Sequence, residues 1–89
     1  MLHETIETII IAKDLDQTVR FLYEDQDGVV TRRMVDPARI HGIKFLGWCC
    51  HREDYRRFDM RRMHMVEFGP TANEIHLPLG EPEELGRRE

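Results

Sequence analysis

The sequence predicts a mainly β protein: a small antiparallel barrel of about five strands with a short helix at its N-terminal end. Three observations support this. Apolar residues near the start recur at helical spacing, apolar residues over 18–68 mostly alternate as they do in strands, and turn-forming residues separate the alternating segments at short intervals. A sheet that closes on itself removes most of the exposed edges that short strands otherwise leave, so these segments favour a barrel.

The helix is predicted from one apolar stripe. Leu2 is followed by Ile6, Ile9 and Ile10, which lie four, seven and eight positions after it. Lys13 follows, where a cation suits the carboxyl end of a helix. The β-branched run at 9–11 fits a strand as well, but the longer periodicity favours the helix.

The next segments alternate with the period of a strand. Val19, Phe21 and Tyr23 share one face, and the tetrapeptide DQDG at 25–28 predicts a hairpin because Asp and Gly tolerate the positive φ of such turns. Residues 29–35 then form the returning strand. Pro37 lacks a backbone donor, so we expect it to end this strand or to mark an edge. The HG pair at 41–42 predicts another tight turn.

Two further segments read as strands, and the second of them is interrupted. Residues 43–50 form the third strand and residues 56–68 the fourth. In the fourth, Phe58 and Met60 are apolar on even positions, whereas Met63 and Met65 are apolar on odd ones. This change of phase near 61–63 predicts a bulge or a bend, after which the chain continues as a separate fifth strand.

The chain of 89 residues makes one small domain, predicted over residues 1–68. Residues 69–89 are rich in proline, glycine and acidic residues and form a C-terminal extension. The alternation of Ile75, Leu77 and Leu79 predicts an edge strand there, followed by a solvated acidic tail.

Charge is segregated along the chain. The net charge is -4, yet residues 1–30 carry −5, residues 31–64 carry +5 and residues 65–89 carry −4. A basic centre between acidic ends creates a local positive field on an acidic protein. The centre is therefore where we expect a site that meets an anion.

Composition argues against the common enzyme classes. The chain has no serine, no P-loop and no dinucleotide fingerprint, and Cys50 and His51 fall on opposite faces of a strand, which prevents a nucleophile–base pair. Cys49 and Cys50 are adjacent and cannot staple distant segments; with His51 they are too crowded to supply three zinc ligands. A non-catalytic protein without metal or cofactor is expected.

The sequence indicates neither a membrane protein nor a secreted one. The longest apolar run, TIIIA, is far too short to cross a bilayer, and the acidic start lacks the layout of a signal peptide. The cytoplasm, where thiols stay reduced, is the expected compartment.

The basic centre carries the pattern of a known family. The matching residues, in chain order, are Arg33, Val35, Pro37, Leu46, Trp48, Cys49, Arg52, Asp54, Tyr55, Arg56, Phe58 and Arg62. Through them the chain resembles the WYL domain over about residues 5–68. The Trp-Tyr-Leu triplet that names the family reads Lys44, Phe45 and Leu46 here. Asp59 and Arg61 reverse the charges that the family has at those two positions.

The resemblance implies an Sm-like, SH3-type barrel and a regulatory role without catalysis. WYL domains usually belong to bacterial transcription regulators or to CRISPR-associated and phage-defence proteins. There they are thought to sense a ligand, with single-stranded nucleic acid or a nucleotide as leading candidates, and several are dimers. The sequence shows neither a helix-turn-helix ahead of the domain nor a second domain after it, so a stand-alone WYL-like domain is expected.

The expected site is a groove of basic and aromatic side chains. Arginine forks hold phosphates and aromatic rings stack on bases, so both residue types suit single-stranded nucleic acid or a nucleotide. The residues expected to form this groove are Arg33, Lys44, Phe45, His51, Arg52, Tyr55, Arg56 and Arg62, with Trp48 beside them.

Two alternatives stay open. The arginines could pair with acidic neighbours and only solvate the barrel, the acids in question being Glu53, Asp54 and Asp59, and Arg62 could serve the structure alone. The domain could otherwise be a protein-interaction or dimerisation module, forming a homodimer or docking on a larger regulator. Its adaptable apolar surface would then be the methionine run Met60, Met63 and Met65.

Overall fold

The computed structural model describes residues 1–71 as one helix, one 3₁₀ turn and five strands. Helix α1 spans Leu2–Asp14. The strands are β1 (Gln17–Glu24), β2 (Val30–His41), β3 (Lys44–Cys49), β4 (Asp54–Asp59) and β5 (Met63–Thr71), and the 3₁₀ turn η1 (Met60–Arg62) joins β4 to β5. The N-terminal helix is therefore confirmed. The edge strand and acidic tail expected at 75–89 lie outside the described residues.

The five strands form one antiparallel sheet in the order β4-β3-β2-β1-β5, so β4 and β5 are its two edges. Within residues 1–71 no ladder joins these edges, and the sheet is open; the closed barrel predicted from the sequence is not confirmed. At the end of β4 the backbone N–H groups are used elsewhere. Asp59 donates to the Tyr23 hydroxyl at 3.0 Å, and Met60 donates to the carbonyl of Ile43 at 2.8 Å.

The predicted turns and the break near 61–63 are confirmed. The Asp25 carboxylate accepts from the N–H groups of Asp27 and Val29, and Gly28 takes a φ of 82° in the first hairpin. The change of hydrophobic phase falls on η1. A further register shift lies opposite β1 between Arg20 and Leu22, where Met65 has a φ of 54°.

Pro37 does not end its strand. It is buried within β2, which continues to His41. The β1–β2 register ends at Val35, so β2 pairs only with β3 from that point, and a register shift follows between Pro37 and Arg39. The position where Pro37 lacks a backbone N–H therefore lies beside a bulge, where a proline inside a sheet is tolerated.

The core lies between the inner face of the curled sheet and α1. Its fully or almost fully buried apolar residues are Ile9, Ala12, Val19, Phe21, Val35, Phe45, Phe58, Met60 and Met63. The Phe58 ring is central: the centroids of the Phe21, Tyr23 and Phe45 rings lie 5.4, 5.2 and 5.3 Å from it. Burying each such ring stabilises the folded state by roughly 1.5–3 kcal/mol, so this cluster holds the sheet in its curled form.

None of the helices in residues 1–71 has the length and apolar character needed to span a membrane.

Candidate functional site

The structure distributes the expected site residues over five places. Alternation along β3 and β4 puts Lys44 and Tyr55 on the outer face of the sheet and Arg56 on the inner face, where Arg33 of β2 also lies. His51 and Arg52 lie in the β3–β4 turn, Arg62 lies in η1, and Phe45 lies in the core. A single groove containing all of them is not formed.

Phe45 belongs to the core. Its side chain is 2% exposed, and the Phe21 and Phe58 rings pack against it at centroid distances of 6.4 and 5.3 Å. A base could reach neither face of this ring. The strand alternation of β3, in which Phe45 shares a face with Gly47 and Cys49, was the sequence signal for its burial.

Arg62 fastens a turn. Its Nη1 atom donates to the backbone carbonyls of Glu24 and Asp25, at 3.4 and 3.1 Å, and so connects η1 to the β1–β2 hairpin. The side chain is half-buried, and these carbonyls satisfy part of its donor set. The geometry supports the structural role that the sequence left open for this residue.

Arg33 has a different environment. Its Nε atom donates to the Thr31 hydroxyl at 3.0 Å, its Nη1 atom lies 3.9 Å from the Cys49 sulfur, and its guanidinium carbon lies 5.8 Å from the centre of the Phe58 ring. All three partners are neutral. Within residues 1–71 no carboxylate forms an ion pair with Arg33, so its charge is held in place without being neutralised.

A hollow of about 580 Å³ lies beside Arg33. We call it the β1–β2 hollow; its basic lining residues are Arg20, Arg32, Arg33 and His51, and its apolar ones include Leu22 and Met34. Glu67 also lines it and pairs with Arg20 at 3.3 Å. The two remaining arginines leave the hollow positive with His51 neutral. Of the residues expected in the groove, this hollow brings together only Arg33 and His51.

Arg32 lines this hollow but was not among the residues expected in the groove. It lies opposite Leu22 in the β1–β2 register and borders the hollow next to Arg33. In the sequence, only its position at the start of the basic segment 31–64 pointed to Arg32. Strand alternation puts the Arg32 side chain on the outer side of the sheet, beside Leu22, whereas the Arg33 guanidinium lies on the inner side over the Phe58 ring; both residues line the hollow, but from opposite faces of β2.

A second hollow, of about 550 Å³, contains Lys44 and Arg62 but has a balanced charge. Its basic residues are Lys44, Arg57 and Arg62, and its acidic ones are Asp25, Asp27 and Asp59. The hydrogen bonds from Arg61 lower the pKa of the Asp59 carboxyl to about 2, so this carboxylate stays charged. An anion would meet opposing charges here.

The remaining candidates are exposed or paired. Arg56 forms an ion pair with Asp54 at 3.2 Å, and Arg61 forms one with Asp59 at 2.8 Å. The alternative in which arginines pair with acidic neighbours thus holds for these two, but not for Arg33. Tyr55 is 59% exposed and meets the Trp48 ring edge-on, with centroids 5.1 Å apart.

The methionine run does not form one surface. Met60 and Met63 are 1% and 6% exposed and belong to the core, whereas Met65 is 79% exposed at the β5 bulge. The adaptable interaction surface expected from these three residues is therefore reduced to Met65.

The adjacent cysteines are free thiols, with Cys49 buried and Cys50 half-buried. Burial, together with the neighbouring Cys49 and Asp36, raises the pKa of the Cys50 thiol to about 12. This thiol therefore stays protonated at neutral pH and is a poor nucleophile. In the part of the chain that the structure describes, no group of three or more His, Cys, Asp or Glu side chains is arranged to hold a metal ion.

Comparison with known families identifies the fold. The family model of the WYL domain matches residues 4–68, which is most of the chain and includes every strand but the end of β5. The chain belongs to the WYL domain family. No curated protein matches this WYL domain closely enough to count as a relative.

A solved structure similar to this WYL domain is proteasome accessory factor B/C (PafBC) of Arthrobacter aurescens. The two superpose with a TM-score of 0.69 and 25% sequence identity, over 76% of this chain and 11% of the PafBC chain. This chain therefore corresponds to a small part of the length of PafBC. Family and neighbour together indicate a regulatory, ligand-sensing kind of domain, and neither indicates a catalytic one.

Proposed function

We propose that this WYL domain binds a phosphate-bearing ligand, a nucleotide or a short single strand of nucleic acid, in the β1–β2 hollow. Binding is non-catalytic and serves regulation. The observation that carries the proposal is the environment of Arg33: a partly buried guanidinium group held by Thr31, Cys49 and Phe58, none of which neutralises it.

The hollow suits such a ligand for three physical reasons. A guanidinium fork binds phosphate oxygens in a bidentate way, and Arg33 is already positioned, so little side-chain entropy is lost on binding. Arg32, which lies opposite Leu22 and also lines the hollow, supplies a second fork, and His51 adds a hydrogen-bond donor. Leu22 and Met34 offer apolar surface on which a base or sugar can rest.

The test is a titration of a fluorescently labelled single-stranded oligonucleotide, and separately of a nucleoside triphosphate, at low salt. We expect the double variant Arg32→Ala, Arg33→Ala to lose at least about tenfold in affinity, since each charge-assisted hydrogen bond contributes roughly 1.5–3 kcal/mol. Arg61→Ala is the matched control, because that guanidinium is committed to Asp59. It should bind like the wild type.

A second double variant, Arg52→Ala, Arg56→Ala, tests the competing location around the β3–β4 turn. These residues lie outside the lining of the β1–β2 hollow. If this variant loses binding while Arg32→Ala, Arg33→Ala retains it, the ligand binds at the turn and the proposal is wrong.

A protein-interaction module is the second candidate. It is favoured by the aromatic pair of exposed Tyr55 and half-buried Trp48 on β3 and β4. Self-association or partner binding without any oligonucleotide or nucleotide signal at low salt would favour this function over ligand sensing.

A further inference from the structure

The outer side of strands β2–β4 presents a basic and apolar surface, which we call the β2–β4 outer face. Strand β3 alternates strictly, with Phe45, Gly47 and Cys49 buried, so its other residues point away from the core. Residues directly opposite them in the two registers share that side of the sheet. This side holds Asp36, Arg39, His41, Lys44, Leu46, Trp48, Tyr55, Arg57 and Asp59.

The charges of this face are arranged around its apolar centre. Arg39 and Arg57 lie on either side of Leu46, each opposite it in a register. Two acids also point to this side. Asp59, opposite Lys44, is held by Arg61, and Asp36 lies at the far end, opposite Trp48. The strip directly across Leu46 is therefore positive, although Lys44 and Arg57 also border the balanced hollow beside the β1–β2 turn.

Helix α1 carries a stripe of the opposite character. Residues spaced by three and four positions share a helix face, and one such set points away from the core: Glu4, Glu7, Ile11, Asp14 and Leu15, the last at the C-cap. The acids Glu4 and Glu7 are 79% and 60% exposed; Glu4 lies 3.6 Å from the N-terminal ammonium group and Glu7 lies 3.4 Å from the His3 ring. Ile11 and Leu15 are 46% and 64% exposed. Lys13 lies on the opposite side of the helix. We call this set the acidic stripe.

We propose that the acidic stripe of one copy of this chain docks on the β2–β4 outer face of a second copy. The stripe has the exposed apolar residues Ile11 and Leu15 among its acids, and the outer face has exposed Tyr55 and the half-buried Leu46 and Trp48 among its cations. Apolar burial supplies the attraction, and charge complementarity selects the orientation. Because the two surfaces differ, the contact is heterologous, and each added copy leaves one stripe and one outer face free unless a ring closes. The proposal is independent of ligand binding in the β1–β2 hollow.

Sedimentation equilibrium of the whole chain over a range of concentrations, at low and high salt, tests this contact. We expect concentration-dependent association that weakens as salt screens the charges. Arg57→Glu, which puts a like charge opposite the stripe, should weaken association by about tenfold or more, and so should Glu7→Lys. Lys13→Glu changes the net charge as much as Arg57→Glu but lies off the stripe, so it should associate like the wild type.

Mixing the two charge-reversal variants gives the decisive result. The Arg57→Glu copy keeps an intact stripe, and the Glu7→Lys copy keeps an intact outer face. We therefore expect a complex in the mixture that neither variant forms alone, with circular dichroism confirming that each is folded. A wild type that stays monomeric at every concentration, or a mixture that stays monomeric, would overturn the proposal. So would variants that associate as the wild type does.

Discussion

At the scale of single residues, the arginines differ in what their guanidinium groups contact. Arg56 and Arg61 face carboxylates, Arg62 faces backbone carbonyls, and Arg33 faces a hydroxyl, a sulfur and an aromatic ring. A carboxylate cancels most of the charge that an incoming phosphate would use, whereas neutral partners only fix the geometry. For this reason Arg33 is the arginine on which we base a ligand site.

The Asp59–Arg61 pair yields a prediction about pH. Replacing Arg61 with Ala should raise the pKa of Asp59 from about 2 toward the ordinary value of 3.8, because the hydrogen bonds from Arg61 are the main cause of the shift. A carboxyl whose pKa is depressed on folding stabilises the protein above its unfolded pKa. That contribution is lost as pH falls through the folded value. The stability difference between wild type and Arg61→Ala should therefore shrink from pH 5 toward pH 2.

The measurement is an NMR titration of the Asp59 carboxyl carbon, accompanied by urea unfolding at several pH values. Arg61→Lys serves as the control, since it keeps a cation but loses the paired donors, and it should give an intermediate pKa. An unchanged Asp59 titration in Arg61→Ala would show that the pair does not exist in solution.

Gly47 is required for steric reasons. A Cβ atom at this position would overlap the Val35 Cγ1 atom and lie 3.2 Å from the Phe45 ring. We expect Gly47→Ala to lower the free energy of unfolding by about 1–3 kcal/mol, the usual cost of overpacking a core. Val35→Ala removes the methyl that the new side chain meets. The double variant should therefore lose less stability than the sum of the two single variants in urea unfolding, and strict additivity would contradict this explanation.

At the scale of elements, the corner formed by β4, η1 and β5 decides the shape of the sheet. Only the three residues of η1 separate the two edge strands, so the sheet must curl for both to reach this corner. The Tyr23 hydroxyl on β1 accepts from the Asp59 N–H across the inner face, and its ring packs on Phe58. Tyr23 thus joins β1 to the far edge strand without any ladder between them.

This link gives a matched pair of variants. Tyr23→Phe keeps the ring but leaves the Asp59 N–H without its partner, so we expect a loss of about 1–3 kcal/mol in the free energy of unfolding. Tyr55→Phe removes a hydroxyl from the exposed side of β4 and should change stability by less than about 0.5 kcal/mol. Equal unfolding midpoints for the two variants would show that the Tyr23 bond contributes nothing.

At the scale of the whole molecule, acidic and basic side chains lie mostly on separate surfaces, although the net charge is -4. The exposed side of α1 is acidic, the β2–β4 outer face and the β1–β2 hollow are basic, and the hollow beside the β1–β2 turn is balanced. Phosphate ligands are therefore expected to approach over a limited area and to release few counterions.

That limited area predicts a shallow salt dependence. If Arg32 and Arg33 are the cations that meet phosphate, the logarithm of the affinity for a single strand should fall with the logarithm of salt concentration with a slope of about −1.4, or about −0.7 per phosphate. The slope is measured by repeating the oligonucleotide titration at several salt concentrations. A slope several times steeper would mean that the strand crosses a much wider surface than the β1–β2 hollow.

The order and type of the elements could be predicted from the sequence, because hydrophobic period and turn residues act over a few positions. The helix stripe, the DQDG turn and the change of phase before Met63 all correspond to observed features. A closed barrel is not confirmed, since closure depends on whether the two edge strands β4 and β5 exchange hydrogen bonds, which local patterns do not show. Pro37 does not end its strand, but it lies where β2 has no pairing with β1 and is an edge on that side, so one of the two expectations for it held.

By itself, the sequence determined the family, the strands and the basic centre, since each is written in the kind and spacing of residues along the chain. Only the tertiary structure decided which cations remain unneutralised. Phe45 is buried in the core, Arg56 is paired with Asp54, and Arg62 donates to the carbonyls of the β1–β2 turn, whereas Arg33 has no carboxylate partner within residues 1–71. The physical reason is that Arg33 and Arg62 contact groups far away in the chain, Cys49 and Phe58 in one case and the β1–β2 turn in the other, which only folding brings near, whereas Arg56 and Arg61 pair with acids two positions away.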